Sequence, residues 1–102
     1  MKQMSEMAEE QLIECAILAV LDKLPHKRGT VSKIVNRVFR DSTCCGLSRS
    51  YSMAAEAVCG LHRLARLGHI SRIEIVRKNG DFAAMFRLNS AGWLRLVANR
   101  QG

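Results

Sequence analysis

The chain has 102 residues, 48% of them hydrophobic and 25% charged, enough for one modest core and too apolar for a disordered chain. Its net charge is +7 and its pI about 9.8, which favours a polyanionic partner, most simply nucleic acid. The longest apolar stretch, around "CAILAV", is closely flanked by polar residues, and the acidic start lacks an apolar leader, so neither a membrane span nor a signal peptide is expected.

The charge is unevenly placed. Residues 1–24 carry a net of −3, and residues 25–102 a net of +10. The basic surface therefore lies downstream of the first helix. Four cysteines in a short chain raise the question of a disulfide framework. Cys15 and Cys59 fall within helical patterns, and the neighbours Cys44 and Cys45 are poorly placed to bridge each other. Reduced thiols in a cytoplasmic protein are expected, with Cys15 in the core.

The chain reads as a single domain over 1–102. A first helix is expected over about 8–24, with Leu12, Ile13, Ala16, Ile17, Val20, Leu21 and Leu24 on one apolar face. Glu9, Glu10 and Glu14 would sit near its start, where the helix dipole favours acids. Pro25 stops it. "HKRG" is a basic turn, and Thr30 can cap a second helix over about 31–41. There Val31, Ile34, Val35, Val38 and Phe39 line one face, and Lys33, Arg37 and Arg40 another. "STCCGLS" is a polar loop broken by Gly46.

The third helix is expected over about 49–67, capped by Ser48 or Ser50. Ala54, Ala57, Val58, Leu61, Leu64 and Ala65 form its buried stripe, and Gly68 ends it. The period then changes from helical to alternating. "ISRIEIVRK" and "DFAAMFRL" are strands joined at Asn79-Gly80, giving a hairpin over about 70–88. Ile73 and Ile75 share a face of the first strand. Phe82, Ala84, Phe86 and Leu88 share a face of the second. Asn89 or Ser90 caps a last helix over about 90–99, with Trp93, Leu94 and Val97 packing back on the domain or on a partner. The class is α+β and mostly α: three helices, a hairpin and a C-terminal helix. A short strand after Pro25 would complete a three-stranded sheet, but no pattern in the sequence marks it.

This order is the winged helix-turn-helix arrangement. In "LHRLARLGHISR", Leu61, Leu64, Gly68, Ile70 and Arg72 keep a spacing that resembles the junction between reading helix and wing in such regulators. "FRLNSAGWLRL" resembles the "Y-x-L-T-x-x-G" segment that closes the wing in MarR-type and PadR-type bacterial regulators. Phe86, Leu88 and Gly92 match, and Asn89 stands where Thr is usual. The resemblance covers about 10–97, most firmly 57–94. The "hGY" turn of many PadR-type proteins is absent, and the subfamily is left unassigned.

The resemblance implies a reading helix whose outward face meets base edges in the major groove. Arg49, Ser52, Glu56, Cys59 and Arg63 are spaced 3, 4, 3 and 4 residues apart, opposite the apolar stripe. Ser48, Arg49, Ser50, Tyr51, Ser52, Ala55, Glu56 and Arg63 are the candidate reading residues. Arg49 suits a guanine, Glu56 suits cytosine N4, and Ala55 allows close approach. Lys27, Arg28, Thr30, Ser32 and Lys33, with His26 beside them, are candidates for backbone contact. Arg72, Arg77, Lys78 and Asn79 are candidates on the wing.

Cys44, Cys45, Cys59, His62 and His69 lack zinc-site spacing, so no metal is expected. Cys44 and Cys45 are candidate redox thiols, because they precede a helix and have Arg40 and Arg49 nearby. No cofactor motif and no catalytic constellation stands out, and the chain is not expected to be an enzyme. The expected function is sequence-specific binding of double-stranded DNA by a small bacterial, archaeal or phage transcriptional regulator. It would be cytoplasmic, nucleoid-associated when bound, without a membrane partner, and a homodimer through its first and last helices (Leu12, Ile13, Trp93, Leu94 and Val97). The alternative is a winged-helix protein-interaction or RNA-binding module in an assembly or translation complex.

Overall fold

The computed structural model describes residues 2–42 and 51–101. Helix α1 (Lys2–Lys23) starts well before Ala8. Lys, Gln, Met and Glu are strong helix formers, and no glycine or proline interrupts them, so the helix extends beyond its amphipathic part. Ile13, Ile17, Leu18, Val20, Leu21 and Leu24 are buried, whereas Leu12 turns out to solvent at 59% exposure. The longer helix also moves Glu14 from the first turns to the middle of α1, where it is buried.

Pro25–Lys27 forms one 3-10 turn. His26 and Lys27 both adopt left-handed backbone, with φ of 57° and 55°. For residues carrying a Cβ this conformation costs about 1–2 kcal/mol each. The turn carries the chain into β1 (Arg28–Gly29), which pairs antiparallel with β3 (Phe82–Leu88) through Arg28↔Arg87 and Gly29↔Phe86. This is the strand that the sequence left unmarked. β2 (Ile70–Val76) pairs with the other edge of β3, giving the order β1-β3-β2.

Helix α2 (Val31–Ser42) is capped by Thr30, whose Oγ1 accepts from the Lys33 N–H at 3.2 Å. Its apolar face places Ile34, Val38 and Phe39 inside. Helix α3 (Tyr51–Arg66) buries Ala57, Leu61 and Leu64. It ends in a Schellman motif: the His69 N–H reaches the Leu64 carbonyl at 2.9 Å, and the Gly68 N–H reaches Ala65 at 3.1 Å. Gly68 takes the required positive φ of 80°.

The hairpin turn is a three-residue loop. The Gly80 N–H donates to the Arg77 carbonyl at 2.9 Å, and the Arg77 N–H donates to Asp81 at 2.7 Å. Only Gly80, at φ 89°, leaves the right-handed half of backbone space there. Asn79 instead shapes the turn with its side chain: Oδ1 accepts from the Asp81 N–H at 3.1 Å, and Nδ2 donates to Asp81 Oδ2 at 2.9 Å.

Helix α4 (Ser90–Gln101) is capped by Asn89, whose Oδ1 accepts from the Gly92 N–H at 3.0 Å. Leu96 is its buried apolar anchor, while Trp93 and Leu94 are exposed and Val97 half-buried. Of the two packings expected for this face, Trp93 and Leu94 do not make the one back on the domain, where Leu96 packs instead. Ile13, Ile17, Leu21, Ile34, Leu61, Leu64, Ile70, Phe86 and Leu88 belong to one core joining helices and sheet. Each such side chain, fully buried, contributes about 1.5–3 kcal/mol.

The register also corrects the reading of β3. Phe82, Ala84, Phe86 and Leu88 share a face, but only Phe86 and Leu88 are buried; Ala84 and Phe82 are exposed. The ribbon outruns the helices, so the same face is core at its base and bare at its end. Three helices, a hairpin with a short third strand, and a closing helix make this a winged helix-turn-helix fold.

Candidate nucleic-acid interface

The third helix turns Ala55, Glu56, Cys59, His62 and Arg66 to solvent. Its phase follows from the buried residues. A helix advances about 100° per residue, so Arg66, two positions beyond Leu64, lies opposite the core. Arg63, one position before Leu64, lies on the flank. Gly60 leaves room there, since a Cβ at that position would come within 3.0 Å of Ile17 and 3.3 Å of Ile13. Arg63 turns to α1, with Nε 3.8 Å from Glu14 Oε2 and the side chain 31% exposed. Arg63 is thus removed from the outward stripe, and Arg66 and His62 take its place.

Glu14 is held from two sides. Arg95 Nη1 on α4 donates to Glu14 Oε1 at 3.1 Å. The same nitrogen lies 3.3 Å from His69 Nδ1. A guanidinium only donates, so this contact needs the lone pair on Nδ1. Arg63 Nε is buried and makes no hydrogen bond, so Arg95 is the stronger partner. One carboxylate thereby ties α1 to both α3 and α4.

Of the expected reading residues, Ser48, Arg49 and Ser50 lie outside the described residues, as do the candidate thiols Cys44 and Cys45. Tyr51 and Ser52 belong to the first turn of α3. Ala55 and Glu56 are exposed on its outer side.

The basic rim comes from several elements. On α2, Ser32, Lys33, Asn36, Arg37 and Arg40 are all exposed, which extends the stripe beyond Lys33. Lys33, Arg37 and Arg40 recur at helical spacing, a signal present in the sequence. Thr30 is half-buried and engaged as the cap. Lys27 pairs with Asp22 while remaining 50% exposed. His26 is exposed beside it. Arg28 and Arg87 are cross-strand partners, and neither has an acidic partner among the described residues. Like charges set directly opposite each other repel, which an anion between them relieves. Arg72 stands 3.9 Å from Glu74, both more than half exposed, a pair worth at most about 1 kcal/mol. Arg77 and Lys78 are exposed at the wing tip, whereas the Asn79 amide is engaged by Asp81.

Among the described residues, no group of three or more His, Cys, Asp or Glu side chains is placed to hold a metal ion. No described helix is long and apolar enough to cross a membrane. Cys15 is half-buried at the α1–α4 seam rather than in the core, and the Asn99 amide donates to its sulfur at 2.9 Å. Burial pushes the Cys15 thiol up from its ordinary pKa; Arg95 pulls it back, and Glu14 adds to the rise. Its alkylation by iodoacetamide should therefore lag behind that of an ordinary thiol at neutral pH and accelerate only at higher pH. Residue-resolved mass spectrometry against exposed Cys59 measures this, and equal rates at pH 7 would contradict it.

The winged-helix class rests on this architecture, and the chain is similar in fold to solved proteins of that kind. PadR of Bacillus subtilis, solved in complex with operator DNA, superposes with a TM-score of 0.62 and 19% identity over 83% of this chain. The chain spans less than half, 44%, of that protein. A Thermoplasma acidophilum protein named as a transcriptional regulator gives a TM-score of 0.68 and 17% identity, over 93% of this chain and 82% of its own. A PadR-like transcription factor from Bacteroides fragilis gives 0.64 and 16%, over 99% and 87%. At these identities the likeness is one of fold. No family model matches the chain, and no curated protein matches it.

Proposed function

We propose that the chain is a DNA-binding transcriptional regulator of a bacterium, archaeon or phage. The observation that carries this reading is the exposed side of α3, set on a winged-helix scaffold and rimmed by Lys33, Arg37, Arg66, Arg72, Arg77 and Lys78. That a fold neighbour was solved on operator DNA supports it. In this reading the first turns of α3, with Tyr51, Ser52, Ala55 and Glu56, enter the major groove, Arg49 ahead of them in sequence adds a base contact, and α2 and the wing hold flanking backbone or minor groove. Phosphate contacts supply salt-dependent affinity, and base-edge contacts supply the sequence preference. The function needs no catalysis and no cofactor, and its site of action is the cytoplasm, on the nucleoid.

The proposed regulator is a homodimer. Leu12, Trp93 and Leu94 are exposed apolar residues on α1 and α4 that the monomer does not use. An open groove of about 520 Å³ between Lys27, Leu88, Asn89, Ser90, Trp93 and Leu94 gives the α4 part of this surface relief. Ile13 is 3% exposed and is removed from that surface.

Selection of bound duplexes from a random pool tests the reading. One enriched motif with two symmetric half-sites is the expected result. No enrichment at moderate salt, with retention of a protein or RNA partner, would establish the interaction-module alternative instead.

A further inference from the structure

The end of the wing carries an apolar pair that the fold does not use. Val76 and Phe82 are cross-strand partners, the last pair before the turn. They are 61% and 72% exposed, and Phe82 is the most exposed of the large hydrophobic residues in the described chain. Their face is defined by the register: Ile70 and Leu88 at the base, then Arg72 and Phe86, then Glu74 and Ala84, then Val76 and Phe82. At the base this face is core. Phe86 meets His62 of α3 edge to face, with ring centroids 6.4 Å apart. The apolar pair therefore lies on the side of the ribbon that borders α3. It stands about 20 Å from the buried Ile70–Leu88 pair, six residues along at ~3.4 Å each. The third strand does not reach it, since β1 pairs only with Arg87 and Phe86.

The surroundings select the occupant. Ribbon residues 70–88 carry four Arg or Lys and two acids. Glu74 is offset by Arg72, and Asp81 is engaged by Asn79 within the turn. Arg77 and Lys78 then flank the apolar pair on the tip. Cationic side chains around a narrow apolar end match a nucleic-acid minor groove, with phosphates at its rims and deoxyribose edges along its walls.

We infer that Val76 and Phe82 form an apolar wedge that seats against the deoxyribose walls of the minor groove beside the α3 site. The inference rests on the DNA-binding reading above and adds residues outside the basic set. Its signature is affinity without counterion release: an apolar contact neutralises no phosphate.

The test uses the full chain and a duplex from the selection experiment. Phe82→Ala is expected to weaken binding about 10-fold or more, the range for burying one aromatic side chain. The slope of log K against log salt should stay as in the wild type, whereas Lys78→Ala should reduce it by about 1. Hydroxyl-radical footprinting should show sugar protection flanking the α3 contacts, lost in Phe82→Ala and retained in Phe82→Trp. An unchanged thermal midpoint identifies the loss as local, as expected for so exposed a residue. Unchanged affinity and footprint in Phe82→Ala overturn the wedge and leave the DNA-binding reading standing. Loss of self-association in Phe82→Ala without DNA also overturns it, assigning the patch to a second copy. Failure of the wild-type chain to bind any duplex overturns the function reading and the wedge together.

Discussion

Gly92→Ala is expected to destabilise the chain by about 3 kcal/mol or more, at the upper end of overpacking costs. The reason is a backbone contact. A Cβ on Gly92 would fall far inside van der Waals contact with the His69 carbonyl oxygen, 3.0 Å from the carbonyl carbon and 2.8 Å from Leu88 Cδ1. A backbone carbonyl cannot swing aside as a side chain does. The first turn of α4 would have to lift from the α3–β2 junction, straining the Asn89 cap and withdrawing Leu96 from the core. In a domain with about 5–15 kcal/mol in hand, that is a large fraction of the total. For a chain this size the midpoint should fall by roughly 10–25 °C, readable by thermal and urea unfolding. A loss below about 1 kcal/mol would show that α4 can slide on His69, and that the contact is not the reason glycine stands there.

Glu14→Ala is expected to cost about 2–3 kcal/mol. Breaking a buried ion pair from one side typically costs 3–5 kcal/mol, because the remaining charge is left without compensation. The figure is smaller here because Arg95 and Arg63 are 23% and 31% exposed and can recover some hydration. Glu14→Gln should cost roughly half as much, since its amide oxygen still accepts from Arg95. A double-mutant cycle with Arg95→Ala measures the coupling, and Glu14→Ala/Arg95→Ala should fall well short of the sum of the single changes. Additive costs would mean that the carboxylate is held by its helix and not by its partner. The network also turns Arg63 toward α1, beside Glu14 and off the outward stripe of α3.

Elements set by local pattern were legible in the sequence, and those set by tertiary contact were not. The caps Thr30 and Asn89, the stops at Pro25 and Gly68, and the apolar stripes of α2 and α3 follow from residues within one turn of each other. β1 did not announce itself because two residues cannot express a period; it exists through its pairing with Arg87 and Phe86. The wing was legible as a hairpin, but not the point where its inner face leaves the core, because Phe82 and Phe86 look alike in sequence. Only the reach of the helices distinguishes them. The outward face of α3 was misread by one position at its C-terminal end. Spacings of three and four place residues on a stripe but leave about 40–60° of play per step, which carried Arg63 in and left Arg66 out. Counting from Leu61 and Leu64 instead fixes the phase. Glu14 reads as near the helix start when the amphipathic period alone sets the boundary; the uninterrupted helix formers ahead of that period carry α1 back to Lys2.

The asparagine that caps α4 has a wider effect. Its Nδ2 also donates to the Gly68 carbonyl at 2.7 Å and lies 3.4 Å from the Ser71 hydroxyl, so one amide fastens the chain where it enters the ribbon to the chain where it leaves. The ribbon is in effect a closed loop with a locked neck. Such a loop opens from its free end, and strand pairs beyond Arg72–Phe86 can part without disturbing α3 or α4. Within the ribbon, freedom to part therefore rises from the fastened base toward the tip. The outer ribbon can adjust to an uneven surface at small cost while the register of the helix beside it stays fixed.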